Sequence, residues 1–465
     1  MKTSIKQIIL STVFLTIASG ASAQALSSGY FVDEYKYRHA INPAVGNEQN
    51  YIAIPALGSV NVRMIGNFGI EDVLQDNPLY PDQSDKKKTT FMNPYIADPL
   101  DKFSNGINKV GAQAEIALLS VGFKAFGGYN TFELNSKSNA YLKLPYELLE
   151  FATSTSNQNY NIGDIFANAQ SYMELAVGHS HQLNDKWRVG AKVKLLLGIA
   201  DFDLSMKDIK ANLTGDTWTI QADAQAHTSM KGFKYVSKTN RYKGTNETYE
   251  RVKDIDIDGA GIGGLGAAVD LGMEYKMNDA WKLSAALLDL GFISWKNDMY
   301  ATNTSKSFTF DGFHDTSIRN DHGNTMDDQA DDYDDQISDF IHLKDQGDQG
   351  SRTTGIGARL NLAAEYTIPS YKQLKVGLLS STRFWGEHTW TEERLSGNWE
   401  PLNWLGTSVN VGLNSYTATV GWMINIHPKY FNFFVGMDGI LCKMSKGGIP
   451  LNSNGSISFG FNIAL

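Results

Sequence analysis

The sequence predicts an all-β protein, a transmembrane antiparallel barrel of about 14 strands. Three observations predict it: an export signal, long stretches of period-two hydrophobicity, and the lack of any apolar run long enough for a membrane-crossing helix. The 465 residues hold 43 Gly, a single Cys and 11% aromatic side chains, with a formal net charge of -9. One Cys excludes a disulfide-stapled scaffold and a multi-Cys zinc site. The acidic balance argues against nucleic acid as a partner.

The first element is an address. Lys2 and Lys6 precede the apolar stretch Ile8 to Ala18, and Ala21-Ser22-Ala23 offers the small residues that a signal peptidase reads. Residues 1–23 therefore read as a cleaved signal peptide, with the mature chain beginning at Gln24. No Cys follows the apolar stretch, which excludes a lipoprotein anchor. Residues 24–58 precede the first clear strand and read as a segment that enters or closes the lumen. Residues 59–465 read as the barrel.

Alternation carries the fold. At the C-terminus Ile457, Phe459, Phe461, Ile463 and Leu465 share one face, while Ser456, Ser458, Gly460, Asn462 and Ala464 share the other. In the stretch from Trp187 to Ile199 the apolar residues oppose Arg188, Gly190, Lys192, Lys194 and Gly198, with Leu196 the exception. Leu265 to Tyr275 opposes its apolar residues to Asp270 and Glu274. Ile356 to Tyr366 opposes them to Arg359, Asn361 and Glu365, and Ala418 to Ile426 continues the pattern. A soluble β-sandwich also alternates, but strands of ten residues or more and a small-residue second face favour the barrel.

The turns set the orientation. Leu183-Asn184-Asp185-Lys186-Trp187 parallels Met277-Asn278-Asp279-Ala280-Trp281, each an Asn-Asp turn before an outward Trp. Trp187, Trp281 and Trp422 are candidates for an aromatic girdle at the membrane edge. Short turns belong on the periplasmic side, so the hydrophilic stretches Asn77 to Asn108, Lys231 to Asp258 and 311–350 fall outside. The last of these holds 12 Asp against Arg319 and Lys344, a net of -10, so the other 425 residues sum to about +1. Leu144 to Phe151 reads as the one clear helix, with Pro145 in its first turn, placed in the lumen or over the mouth.

With apolar side chains outward, Glu174, Arg188, Lys192, Lys194, Asp270, Glu274, Arg359 and Glu365 point into the lumen. Four basic and four acidic groups imply internal pairing. They read either as structural salt bridges or as a polar conduit and docking network. The Asp run from Asp327 to Asp339 has the oxygen chemistry of a calcium site, but a solvated outer loop is the preferred reading. Asp254 to Gly259 opens like an EF-hand loop but has Leu265 at the position needing Glu. His179 and His181 share a strand face without an evident third ligand. No Gly-x-Ser-x-Gly element and no phosphate loop occurs, so neither an enzyme nor a cofactor is expected.

Several stretches resemble a domain-of-unknown-function family of Gram-negative outer-membrane β-barrels: His39 to Ala44, Leu144 to Phe151, Glu174 to Ser180, Arg188 to Gly198 and Val420 to Gly439. Asn42-Pro43-Ala44 is also similar to an element near the start of the long-chain fatty acid transporter superfamily. That resemblance implies a 14-stranded barrel with an N-terminal plug, of which Asn42, Pro43 and Ala44 form part. It also implies passage of a small hydrophobic or amphipathic solute. Leu465 departs from the Phe usual at the end of such chains. The runner-up reading is a non-transporting scaffold for surface-protein export or assembly, with a surface or periplasmic protein partner. Either way the expected partner is outer-membrane lipid, around a monomer.

Overall fold

A computed structural model of the protein describes residues 26–80, 88–153, 158–215, 217–241, 248–259, 261–312, 326–440 and 452–465. The signal peptide read at 1–23 lies outside them. Among the described residues, fourteen strands form the closed wall, each antiparallel to its neighbours. They are β1 (Tyr51–Ala53, resumed as Val60–Gly66), β2 (Ile107–Ala125), β3 (Gly128–Pro145), β4 (Asn159–Gln182), β5 (Trp187–Asn212), β6 (Gly264–Lys276) and β7 (Trp281–Trp295). The second half comprises β8 (Arg352–Gly355, resumed as Ala358–Thr367), β9 (Leu374–Phe384), β10 (Trp390–Leu402), β11 (Leu405–Asn414), β12 (Ala418–Ile426), β13 (Phe431–Met437) and β14 (Ser456–Ala464). β14 pairs back onto β1, with Ile463 opposite Ile52 and Ile457 opposite Val62. Closure is what lipid demands, because hydrocarbon offers no partner to an open sheet edge.

The alternation sorts as hydrophobicity requires. Val193, Leu195, Leu271, Leu362, Leu378, Val409 and Val420 are exposed on the outer face. Lys192, Lys194, Asp270, Asn361, Ser381 and Asn410 are buried on the inner one. The barrel thus has an apolar outside and a polar inside, the arrangement of an outer-membrane barrel.

The wall is uneven. β13 and β14 have 7 and 9 residues, whereas β4 and β5 have 24 and 26. At about 3.3 Å per residue, β5 outruns a bilayer core of about 30 Å. Its partner changes accordingly: Trp187 to Gly198 pairs with β6, and Ala200 to Asn212 pairs with a separate strand, Trp218–Met230. That strand, with Asp298–Asn303, Ser307–Phe310 and Leu343–Asp348, builds a sheet above the membrane. A hairpin of Phe233–Arg241 and Thr248–Ile257 also stands there; it carries Asp254 and Asp256 as exposed strand residues.

Three expectations change. The helix expected from Leu144 starts later, at Tyr146–Thr153 (α1), because Leu144 and Pro145 remain in the ladder opposite Asn108 and Ile107. It lies at the outer mouth, with Leu148 and Leu149 in an apolar cluster that includes Phe68, Phe91, Phe103, Tyr160, Ile162 and Leu204. It is also not the longest helix. Within the Asp-rich segment, Met326–Ile341 forms a 16-residue helix (α2), where a loop was expected. Tyr333, Ile337, Phe340 and Ile341 follow the 3.6-residue period inside that acidic run, and Phe340 packs onto the outer apolar cluster. Residues 313–325 of the segment, and the side chains of Asp327, Asp328 and Asp331, lie outside what is described. Finally, Ile356 faces inward, 1% exposed. Gly357, at φ 83°, breaks β8 there and shifts the parity of the residues before it.

One further interruption lies in the wall itself. Between Ala53 and Val60 β1 leaves the regular register, with Ala56 at φ 60°, and Pro55, Ala56 and Leu57 face outward. Backbone bonding persists through it: Ile54 N–H donates to the Phe461 carbonyl (3.3 Å), and Phe461 N–H to the Leu57 carbonyl (2.8 Å).

Candidate functional site within the lumen

Residues 26–50 do not join the wall. They run inside it as turns, including the short 3-10 turns Ser27–Gly29 and Arg38–Ala40, and Leu26, Val32, Tyr35 and Ile41 are wholly buried. The wall makes room with inward glycines. A side chain at Gly436 would strike Leu26, at Gly377 the ring of Phe31, and at Gly406 the Val32 side chain. The wall begins at Tyr51, earlier than the Ser59 expected, so the inserted segment ends near Asn50.

Asn42, Pro43 and Ala44 form the best-fitted part of this segment. The Asn42 side-chain oxygen accepts from Ala44 N–H (3.0 Å), closing a local turn, and its amide donates to the Met273 carbonyl (3.2 Å). Ser180 Oγ donates to the Ala44 carbonyl at 2.7 Å. Beneath lie Gly190 and Gly272, directly opposite one another on β5 and β6. A Cβ on Gly190 would collide with the Pro43 carbonyl, and one on Gly272 with the Asn42 side chain.

At the other end of the segment the Asp438 carboxylate accepts from Ser27 N–H (2.9 Å) and Ser28 N–H (2.8 Å). Midway, Asp33 pairs with Arg38 (3.2 Å) and Lys375. Burial alone would raise its pKa, but Arg38 and Lys375 hold the carboxyl down at about 2. His39 sits where Lys192 donates to its Nδ1 (2.9 Å); the proton is therefore on Nε2, which faces the Tyr51 hydroxyl at 2.9 Å. Burial, seconded by the Lys192 charge, lowers the imidazole pKa to about 3, so His39 is neutral at pH 7.

The eight charged residues read from the sequence divide among five places. Lys192 meets Glu133 at 2.6 Å beside His39. Glu174, Lys194 and Asp270 join one buried cluster: Lys194 lies 2.6 Å from Asp289, 2.8 Å from Asp270 and 3.5 Å from Glu174. Lys137 completes it, 2.9 Å from Glu174 and 3.9 Å from Glu115. Glu365 pairs with Lys282 at 3.1 Å. Arg188 and Glu274 are half-buried at the periplasmic end, where they line a cavity of about 530 Å³ with Asp33, Lys375 and Glu400. Arg359 stands apart, buried on β8 and paired with no described carboxylate.

Sequence reading missed Lys137, Glu133, Glu115, Asp289, Arg383, Glu392 and Arg394. The signal was present for Glu115 and Glu133, each between two apolar neighbours on β2 and β3, but not for Lys137 between Ser136 and Ser138 or Glu392 between Thr391 and Glu393. Asp289 was masked in another way, since a bulge between Val269 and Leu271 and a φ of 55° at Asp289 break the local parity.

Trp187 and Trp281 are half-exposed at the periplasmic end, packed on Tyr275 (4.5 Å) and Tyr366 (4.9 Å). Trp422 departs from the expected girdle. It sits at the centre of β12, opposite Val409 and Met437, because the nine-residue strand begins at Ala418 on the outer side. Trp399 and Trp404, both 46% exposed near the β10–β11 turn, lie at the periplasmic end instead. His179 and His181 stack 5.8 Å apart near the same rim.

Solved structures give distant likenesses. The toluene transporter TodX of Pseudomonas putida aligns with TM-score 0.39 and 10% identity over 91% of this chain and 92% of its own. The Ralstonia pickettii toluene transporter TbuX gives 0.38 and 8%, over 96% and 95%. A Pseudomonas aeruginosa FadL homologue gives 0.39 and 9%, over 96% and 94%. No curated protein matches the sequence. A family model covers residues 43–438, most of the chain, and by that match the protein belongs to the family of unknown function DUF5723.

Proposed function

We propose that the protein passes a small hydrophobic or amphipathic solute across the outer membrane, and that the segment ahead of the wall, ending near Asn50, acts as its plug. One observation carries this reading: residues 26–50 occupy the lumen without being strands of the wall. They are held by side-chain hydrogen bonds, ion pairs and packing against glycines, all of which can be exchanged without opening the β-ladder. A scaffold barrel has no need of a separable interior segment. Lys192 bonding His39, Lys375 bonding Asp33 and Asp438 bonding Ser27 and Ser28 are the contacts that would have to open. Asn42, Pro43 and Ala44 are the seat of the plug, and the lumenal charges Glu174, Lys194 and Asp270 are the frame around the path.

Solute uptake by cells with and without the gene tests the reading. Uptake of at least one amphipathic or apolar compound falls on deletion and returns with the intact gene. Uptake unchanged across such compounds overturns it.

A further inference from the structure

On the outward side of the Lys137–Lys194 cluster the lumen changes sign. Four arginines, Arg63, Arg359, Arg383 and Arg394, are buried there, each no more than 7% exposed. Glu392 is the carboxylate in direct contact: it accepts from Arg63 (2.7 Å) and from Arg394. Arg359 and Arg383 are direct cross-strand partners on β8 and β9, and neither is paired with a described carboxylate. Two like charges placed opposite each other on a sheet repel unless something stands between them. The Nε atoms of both are buried without a hydrogen-bond partner. Arg383 does reach across the lumen to the Asn139 side chain (3.1 Å), and its guanidinium lies 4.7 Å from the Trp385 ring.

Around the pair stand further unsatisfied polar groups. Gln113, 1% exposed and opposite Asn139, has no partner for either end of its amide. His388, fully buried against Gly111, has none for either ring nitrogen. Buried polar groups are as a rule bonded, so a set of orphans around two cations that no described carboxylate touches, with Asp289 acting on both only at a distance, describes a site rather than a flaw in packing. Next to it, Tyr172, Leu196, Ile293, Trp295 and Ile356 form an apolar layer in the same lumen, joined to the site where Arg383 reaches the Ile356 carbonyl (3.4 Å). Below lie Glu115, Glu174, Asp270 and Asp289 around two lysines, a surplus of carboxylates that repels an anion.

We propose that Arg359 and Arg383, with Gln113 and Asn139, bind the oxyanion head group of an amphipathic solute inside the barrel. The apolar layer beside them takes its tail. A planar guanidinium pair suits a carboxylate or phosphate, and both are the same chemistry here. The acidic cluster holds the head group above it until the plug moves. This rests on the reading of the lumen as a solute path.

The test uses the full mature chain in lipid nanodiscs at pH 7.5, with octanoate, octyl phosphate, octanol and acetate as probes in equilibrium binding. Octanoate or octyl phosphate binds more tightly than octanol, and acetate shows whether the head group suffices alone. Arg359→Gln and Arg383→Gln each weaken the anionic amphiphile by about tenfold or more, the scale of one lost charge-assisted bond, and leave octanol within about twofold. Arg383→Lys keeps part of the affinity, and Lys429→Gln, on the periplasmic turn, keeps all of it. Heat-dependent gel mobility confirms that each variant is folded; if Arg359→Gln fails to fold, Arg383→Lys and Gln113→Ala carry the test. Equal binding of octanol and octanoate, insensitive to both arginines, overturns the anion site and leaves the solute-path reading standing; the arginines then only balance the acidic cluster. No binding of any probe, in the full chain or in one lacking residues 26–50, overturns both.

Discussion

Gly190 and Gly272 show most sharply how single residues shape the interior. Each leaves its place on the inner face empty, and Asn42, Pro43 and Ala44 fill both. Gly190→Val or Gly272→Val therefore displaces the inserted segment, or costs the fold about 1–3 kcal/mol in overpacking where it stays. Limited proteolysis reads the difference: cleavage between residues 26 and 50 appears in the variants and is absent in the parent. Gly397, where a side chain meets open space, is the control and leaves the segment protected. His39 gives the pH dependence. Its docked pKa of about 3 lies below the ordinary value of 6.5, so the released segment binds a proton that the docked one does not. Docking is at full strength above pH 6.5 and weakens progressively as pH falls toward 3. Proteolysis followed from pH 7.5 to 4 shows increasing release, and His39→Gln flattens that dependence.

Among the elements, strands were legible and their partners were not. The alternation of Trp187 to Ile199, Leu265 to Tyr275 and Ser456 to Leu465 assigns faces correctly, because lipid on one side and a polar lumen on the other impose period two on every residue. Even the exception, Leu196, is explained by the apolar layer it joins with Trp295 and Ile293. Where the chain inserts or loses a residue, at Gly357 and at Asp289, the parity shifts and the sequence offers no marker. The length of β4 and β5 was equally hidden, since a strand that leaves the membrane to join an outer sheet keeps alternating. The repeated turn was readable in chemistry: Asn184 accepts from Lys186 and Trp187 N–H, and Asn278 from Ala280 and Trp281 N–H, all at 2.8–2.9 Å. For the lumenal site, eight charges were legible but their partners on unread strands were not. Lys194 tests how the cluster is held. Lys194→Met leaves Asp270 and Asp289 short of a counter-charge and destabilises the fold by about 3–5 kcal/mol. Urea unfolding monitored by gel mobility measures it; a loss below about 1 kcal/mol contradicts the ion-pair account.

At the scale of the whole molecule, the barrel is layered along its axis. Apolar packing under α1 and α2 crowns the outer mouth, arginines and then a lysine–carboxylate cluster follow, and residues 26–50 run from the level of Arg394, where Asn410 and Asp438 hold Ser28, down to the periplasmic end. Each layer is drawn from strands far apart in sequence, and closure of β14 on β1 holds them in register. The inserted segment touches strands on opposite sides of the lumen, from Ser180 on β4 to Asp438 beyond β13, so removing it opens the periplasmic end at once. Single-channel recording in planar bilayers tests this most directly, comparing the mature chain with one lacking residues 26–50. The account predicts a closed or barely conducting parent and a deletion variant that conducts steadily, at several times the parent level. An equally closed deletion variant, folded by its gel mobility, would contradict it.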